Sequence, residues 1–178
     1  IKVEQPSAGD ASRGMGGMRN GLGALFAVLN RNKRSVVLDM QQDAAREIMF
    51  GLTEKADVVV QNFRPGAMER MGIGYPALKS VNDSLIYTSI SGFGMDGPYA
   101  NRRVYDPIIQ GITGFVDAQT ASQSDQPQLV RNIVCDKATA LSAAQAITAA
   151  LFARERGAGG QSLEVAMVDA GLAFLWPD

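Results

Sequence analysis

The sequence predicts an α/β fold with a mainly parallel sheet. Three observations carry the prediction. Short runs rich in β-branched residues recur at SVVLDM (35–40), DVVVQNF (57–63), LIYTSISGFG (85–94) and SLEVAMVD (162–169). Helical patterns fill the intervals between them. The links are short, and strand–helix–strand units with short links close as right-handed parallel crossovers. Ligands of such sheets lie beyond the carboxyl ends of the strands. Asn62-Phe63, Gly92-Phe93-Gly94 and the turn after Leu38 all fall there.

In chain order, IKVEQ alternates and reads as the tail of a strand, and the glycine-rich stretch 6–23 reads as a mobile loop. LFAVLNRNKR (25–34) is a short apolar segment ending in a basic turn. Residues 41–56 form an amphipathic helix with Ala45, Ile48, Met49, Leu52 and Ala56 on one face. RPGAMERMG (64–72) is a short helix with Pro65 near its start and Gly72 after it, and 75–82 is another. Residues 95–104 are a polar loop. A helix over 105–120 opens with Asp106 as cap and Pro107 at its first position, and sends Ile108, Ile112, Phe115 and Val116 to a core. A polar connection spans 122–128. The long helix that follows repeats Leu141, Ala144, Thr148 and Leu151, and stops near Gly157.

Composition bounds the chemistry. The chain has 178 residues, 46% hydrophobic, with a net charge of −1. That suits one globular domain and gives no overall attraction to nucleic acid. There is no apolar run long enough for a membrane span. One cysteine leaves no intrachain disulfide, which fits a cytoplasmic protein. There is no histidine, so mechanisms that need His as base, metal ligand or triad member are removed. The chain opens at Ile1 inside an apparent strand and stops after an apolar helical run. Both ends therefore read as cuts within a larger protein, and 1–178 reads as one partial domain.

Asp136 is the candidate that stands out. An apolar approach, Ile133-Val134-Cys135, delivers it to the start of the long helix. On these residues alone it is either an N-cap, which is the ordinary reading, or a carboxylate nucleophile able to carry an acyl group as a mixed anhydride.

A resemblance tips that choice. IKVEQPSAGD, NRNKRSVVLD, ADVVVQNFRPGAMERMGIGY, SISGFGMDGPY, YDPIIQ, the Asp136 helix and GQSLEVAMVDA together resemble the class III CoA-transferase family, which includes formyl-CoA and carnitine-CoA transferases. The resemblance runs over nearly the whole chain. It implies the family's large domain, a Rossmann-like open sheet flanked by helices. That domain would lack its first strand and dinucleotide-type turn here, and the smaller second domain would be missing. It makes Asp136 the nucleophile. It places Leu38, Asp39, Met40 and Gln41 along an adenine, Asn62, Phe63 and Arg64 beside the next part of the cofactor, and Arg70 at phosphate. Arg103, Val104, Tyr105 and Asp106 would line the approach to the thioester.

The implied substrates are an acyl-CoA and a carboxylic acid, with no metal and no tightly bound cofactor. The implied assembly of the full-length protein is an interlocked homodimer. Gln5 and Gln41 stand where some relatives carry Arg and Lys, which bears on how tightly CoA is held. An acyl-CoA racemase of the same fold is the alternative. The resembling racemases use a His where this chain has Tyr105, and an unperturbed tyrosine is a poor base for an α-proton. A non-catalytic CoA-binding fragment is the third reading.

Overall fold

Residues 1–120 and 126–176 are described by the computed structural model, whose α/β architecture has parallel strands flanked by helices. The chain divides into two units, Ile1–Met49 and Phe50–Asp178. In the first, β1 (Lys2–Glu4) leads through a 3-10 turn (Ala11–Gly14) to a hairpin of β2 (Met18–Arg19) and β3 (Leu22–Gly23). Helix α1 (Ala24–Leu29) and strand β4 (Ser35–Val37) follow, and β4 pairs in parallel with β1, Lys2 opposite Ser35 and Glu4 opposite Val37.

The stretch 6–23, expected as a mobile loop, is built structure. Asn20 and Gly21 both take positive φ (50° and 76°), which is what a two-residue hairpin turn with the right twist requires. Asp10 caps the 3-10 turn, its Oδ1 accepting from the Ser12 N–H at 2.7 Å, and its other oxygen meets Lys2. The buried Glu4 holds the rest. Its carboxylate accepts from Arg13 Nε at 2.8 Å and Nη2 at 2.9 Å, from Ser35 Oγ at 2.7 Å and from the Asp10 N–H at 3.0 Å. The Arg13 guanidinium in turn lies 4.0 Å over the Phe26 ring.

The Arg13 hydrogen bonds, followed by that from Ser35, hold the Glu4 carboxyl at a pKa of about 2 against an ordinary 4.5. A depressed carboxylate stabilises the fold fully above its unfolded pKa, and that stabilisation is lost as pH falls through the folded one. Acid titration is therefore expected to loosen this unit between about pH 4.5 and pH 2. Hydrogen exchange of the 6–23 amides should report the change, and Glu4→Gln should flatten that acid dependence.

Helix α2 (Asp43–Thr53) runs across the division between units. It buries Ala45, Met49 and Thr53, while Ile48, expected on the same face, is exposed. The second unit continues with β5 (Val58–Gln61), α3 (Ala67–Arg70), α4 (Tyr75–Lys79) and β6 (Ile86–Ser91). After a long loop come α5 (Asp106–Thr113), α6 (Phe115–Gln119), α7 (Val134–Ala153), a π-helical turn (Arg154–Ala158), β7 (Gln161–Ala166) and α8 (Met167–Leu175). The polar connection expected at 122–128 falls largely on 121–125, outside the described residues.

The sheet of this unit is wholly parallel, ordered β5-β6-β7, with Gln61 opposite Ser89 and Ser91 opposite Ala166. Its central strand is nearly all buried, as a strand covered on both faces must be. The parallel unit expected across 35–63 is not one ladder, because β4 pairs with β1 and β5 with β6.

Two helix faces differ from the sequence pattern. The helix expected over 105–120 breaks at Gly114, whose φ of 95° is open to glycine at little cost. Asp106 is its first residue and Tyr105 the cap position, not Asp106. The burial phase also shifts by one residue. Ile109 and Phe115 are buried, whereas Ile108 and Ile112 are exposed. In α7 the inward face is Cys135, Ala138, Thr139, Ala143 and Ala150, and Leu141 is 62% exposed. Small side chains let α7 pack closely on β6, β7 and α8. Among the described residues no helix is long and apolar enough to cross a membrane.

Candidate functional site

The carboxyl ends of β5, β6 and β7 lie at one edge of the parallel sheet. Beside the β6 end, a core gathers Ile109, Phe115 and Cys135 with Phe93, Val104, Val130, Val134, Met167 and Val168. Those residues belong to the loop after β6, the approach to α5, α5 and α6 themselves, the segment before α7, and the first turns of α7 and α8. The Val168 N–H donates to the Gly92 carbonyl at 3.1 Å, closing β7–α8 against the β6 loop. Cys135, fully buried in that core, fixes where its neighbour Asp136 emerges.

Asp136 is not the cap of α7. Ile133 holds that position without a side-chain cap, and Asp136 sits in the first turn. The capping role falls to another helix: Asp106 Oδ1 accepts from the Asp136 N–H at 2.9 Å. The Val134 N–H donates to the Asn132 carbonyl at 2.9 Å. Two of the first-turn N–H donors are thus already engaged, while the Asp136 carboxylate is left at an exposed residue. The neighbouring protein withdraws water from that carboxyl, and Asp106 adds negative charge, so its pKa is raised above 3.8. An exposed, partly desolvated carboxylate with a raised pKa is a better nucleophile than a solvated one. Burial pushes the adjacent Cys135 thiol up to about 11, so it stays protonated and does not compete.

Beneath this turn lies a closed polar network. Gln110, 1% exposed, donates from Nε2 to Asp106 Oδ2 at 2.6 Å and to the Asn132 carbonyl at 3.1 Å. Its Oε1 accepts from the Val130 N–H at 2.9 Å. Asp106 and Gln110 together tie α5 to the segment that delivers Asp136. Sequence reasoning placed Asp106 on the ligand approach, but it is 4% exposed, with both oxygens bonded inside the protein. Its neighbours are at the surface: Tyr105 is 74% exposed, Arg103 is exposed and Val104 half-buried. The path Arg103–Tyr105 therefore ends one residue from the group that orients Asp136.

The other expected contacts divide between the units. Asn62, Phe63, Arg64 and Arg70 are exposed at and after the end of β5. Leu38 to Gln41 follow β4 in the first unit. Leu38 is buried there, so the surface a ring would meet is that of half-buried Asp39 and Met40 and exposed Gln41. Asp39 Oδ1 accepts from the Gln41 N–H at 3.1 Å and shapes the turn.

Gln110, Gln61 and Ser89 were not singled out from the sequence. The signal was a polar residue at a buried register position, as in VVVQ, YTSIS and IIQ. Gly92 also has a specific reason. A Cβ there would stand 2.3 Å from Val104 Cγ1. Gly92→Ala is expected to cost about 1–3 kcal/mol by overpacking, read by denaturant melts, and Val104→Ala in the same background should recover part of it.

The sequence profile of CoA-transferase family III matches residues 1–178. The chain is 37% identical over 175 residues to the acetyl-CoA:oxalate CoA-transferase of Acetobacter aceti, covering 98% of this chain and 45% of that protein. It is 37% identical over 173 residues to the formyl-CoA:oxalate CoA-transferase of Afipia carboxidovorans, covering 97% and 40%. Among solved structures, a CaiB/BaiF family protein from Brucella suis matches with a TM-score of 0.90 at 38% identity, covering 98% of this chain and 47% of that one. The chain thus spans less than half the length of these relatives. With the profile matched from end to end and the same fold shared at high identity, the chain belongs to CoA-transferase family III.

Proposed function

We propose that the protein carrying this chain moves CoA from an acyl-CoA to a free carboxylic acid, with Asp136 as the nucleophile. The observation that carries the reading is the Asp136 carboxylate itself. It is exposed at the carboxyl edge of a parallel sheet and raised in pKa, and the backbone N–H of its residue is held by Asp106, which Gln110 holds in turn.

The steps balance without oxidation or reduction. An Asp136 oxygen attacks the thioester carbonyl, the C–S bond breaks, and its electron pair leaves on the CoA thiolate, giving a mixed anhydride. The thiolate then attacks the Asp136 carbonyl carbon. This releases the donor as its carboxylate and leaves an aspartyl-CoA thioester. The acceptor carboxylate attacks that thioester, forming a second mixed anhydride and freeing the thiolate again. Attack of the thiolate on the acceptor's acyl carbon yields the new acyl-CoA and restores Asp136.

In this reading Asn62–Arg64 and Arg70 receive the nucleotide and its phosphates, Asp39–Gln41 lie along the adenine, and Arg103–Tyr105 flank the thioester. The names of the relatives favour a short dicarboxylate such as oxalate as one acid partner. The proposed setting is the cytoplasm, and the proposed assembly of the complete protein is a homodimer.

The test is thioester exchange. Acyl-CoA and an isotopically labelled acid are incubated with the complete protein, and labelled acyl-CoA is followed by mass spectrometry. Transfer without deuterium wash-in at the α-carbon supports the reading. Wash-in without transfer would instead indicate a racemase.

A further inference from the structure

We propose that Gln61 and Ser89 form a buried positioning pair that sets the turn Asn62–Arg64 for the CoA moiety, an inference that rests on the function proposed above. The two residues face each other across the β5–β6 ladder. Both are buried, and Gln61 Nε2 donates to Ser89 Oγ at 2.9 Å. The other end of the Gln61 amide, Oε1, accepts from the Phe63 N–H at 2.7 Å. One buried side chain thus spends half its hydrogen-bonding capacity on the sheet and half on the turn that leaves it.

The turn has little else to fix it at this point. The Phe63 ring is 55% exposed and Asn62 and Arg64 are exposed, so apolar packing does not hold the backbone there. The ordering passes onward. The Arg64 carbonyl accepts from the Ala67 N–H at 3.0 Å, α3 begins, and the Arg70 N–H donates to the Gly66 carbonyl at 3.0 Å. A Cβ on Gly66 would lie only 2.9 Å from Arg70 Nη1. Gln61 therefore stands at the root of the turn that presents Asn62, Phe63, Arg64 and Arg70 together.

The surroundings explain why the pair must be matched. Tyr87 shares a strand face with Ser89, and its buried hydroxyl interacts with both Ser89 and Gln61. An amide there cannot turn to water if Ser89 is removed, and is left with the Tyr87 hydroxyl as its polar neighbour. Neither Gln61 nor Ser89 reaches the ligand surface. They act through the Phe63 N–H, which makes them positioning residues.

The experiment uses the complete protein and CoA itself, with affinity by calorimetry and steady-state kinetics. In Gln61→Met the Kd for CoA and the KM for acyl-CoA should each rise about tenfold, the loss of roughly one ordering hydrogen bond. Its kcat and the KM for the acid should stay within about twofold. Gln61→Glu keeps an acceptor oxygen for the Phe63 N–H and should rescue affinity, with Ser89 Oγ donating to the second carboxylate oxygen. Ser89→Ala alone should weaken CoA modestly, and in the Gln61→Met background it should add nothing. A merely structural pair would lower the melting temperature and the active fraction while leaving both constants unaltered. Native CoA affinity in folded Gln61→Met overturns the inference. If Gln61→Met does not fold, unaltered affinity in Ser89→Ala overturns it. If the unmodified protein does not bind CoA, the proposed function itself falls and the inference with it.

Discussion

Replacing Asp136 by asparagine is expected to cut CoA transfer by about four orders of magnitude or more, the scale seen when a covalent nucleophile is removed. The amide is nearly isosteric, and the Asp136 N–H that bonds Asp106 is backbone, so the first turn of α7 stays in place. CoA binding should be retained. Stability should not fall. The folded pKa of Asp136 is raised, first by loss of water and then by Asp106, so the fold binds its proton more tightly than the unfolded chain does. Stability from this group is therefore greater at low pH, and is lost as pH rises from the ordinary 3.8 through the raised value. At neutral pH the ionised carboxylate costs stability that asparagine would not. The variant should melt no lower than the native protein while being inactive. In the native protein, the acid limb of the activity profile should lie above the usual aspartate range, and Asp106→Asn should lower it by removing the neighbouring charge.

Gln110→Leu should have the second-largest effect. The leucine fills the space but leaves Asp106 Oδ2 and the Val130 N–H without the bonds they now make. Each stranded buried group costs about 1–3 kcal/mol, so a loss of about 2–5 kcal/mol is expected in denaturant melts. Activity should fall as well. Gln110 and Asp106 join α5 to the 130–132 segment and the start of α7, and a displaced nucleophile loses reaction rate steeply. The expected drop, measured on the folded fraction at low temperature, is about 10- to 100-fold in kcat with little change in CoA affinity. A variant with native stability and native kcat would show that the network is incidental.

Much of this arrangement was legible in the sequence, and the failures have physical causes. The strand runs at 57–63, 85–94 and 162–169 are β5, β6 and β7, because β-branched runs with punctuated ends have few alternatives. Asp136 stood out because it follows an apolar approach into a long helix. The face of α7 was misassigned because alanine makes most of it equally apolar. Two leucines suggested a stripe, yet close packing selected the small residues. The sequence pattern sends Ile108 and Ile112 to the core, whereas Ile109 is buried, because Gly114 ends α5 sooner than that pattern implies. The hairpin in 6–23 was announced by Asn20-Gly21, but the glycine-rich surroundings hid it. Asp106 carried a family expectation of lining the ligand approach. Its burial follows from a long-range partner, the Asp136 N–H 30 residues on, which local pattern does not reveal.

Trapping the covalent intermediate tests the central claim most directly. The complete protein is incubated with acyl-CoA, quenched with hydroxylamine and digested, and the modified peptide is sequenced by mass spectrometry. The account predicts a hydroxamate on Asp136, formed only when acyl-CoA is present. A hydroxamate on another carboxylate, or steady turnover with Asp136 unmodified, would contradict it.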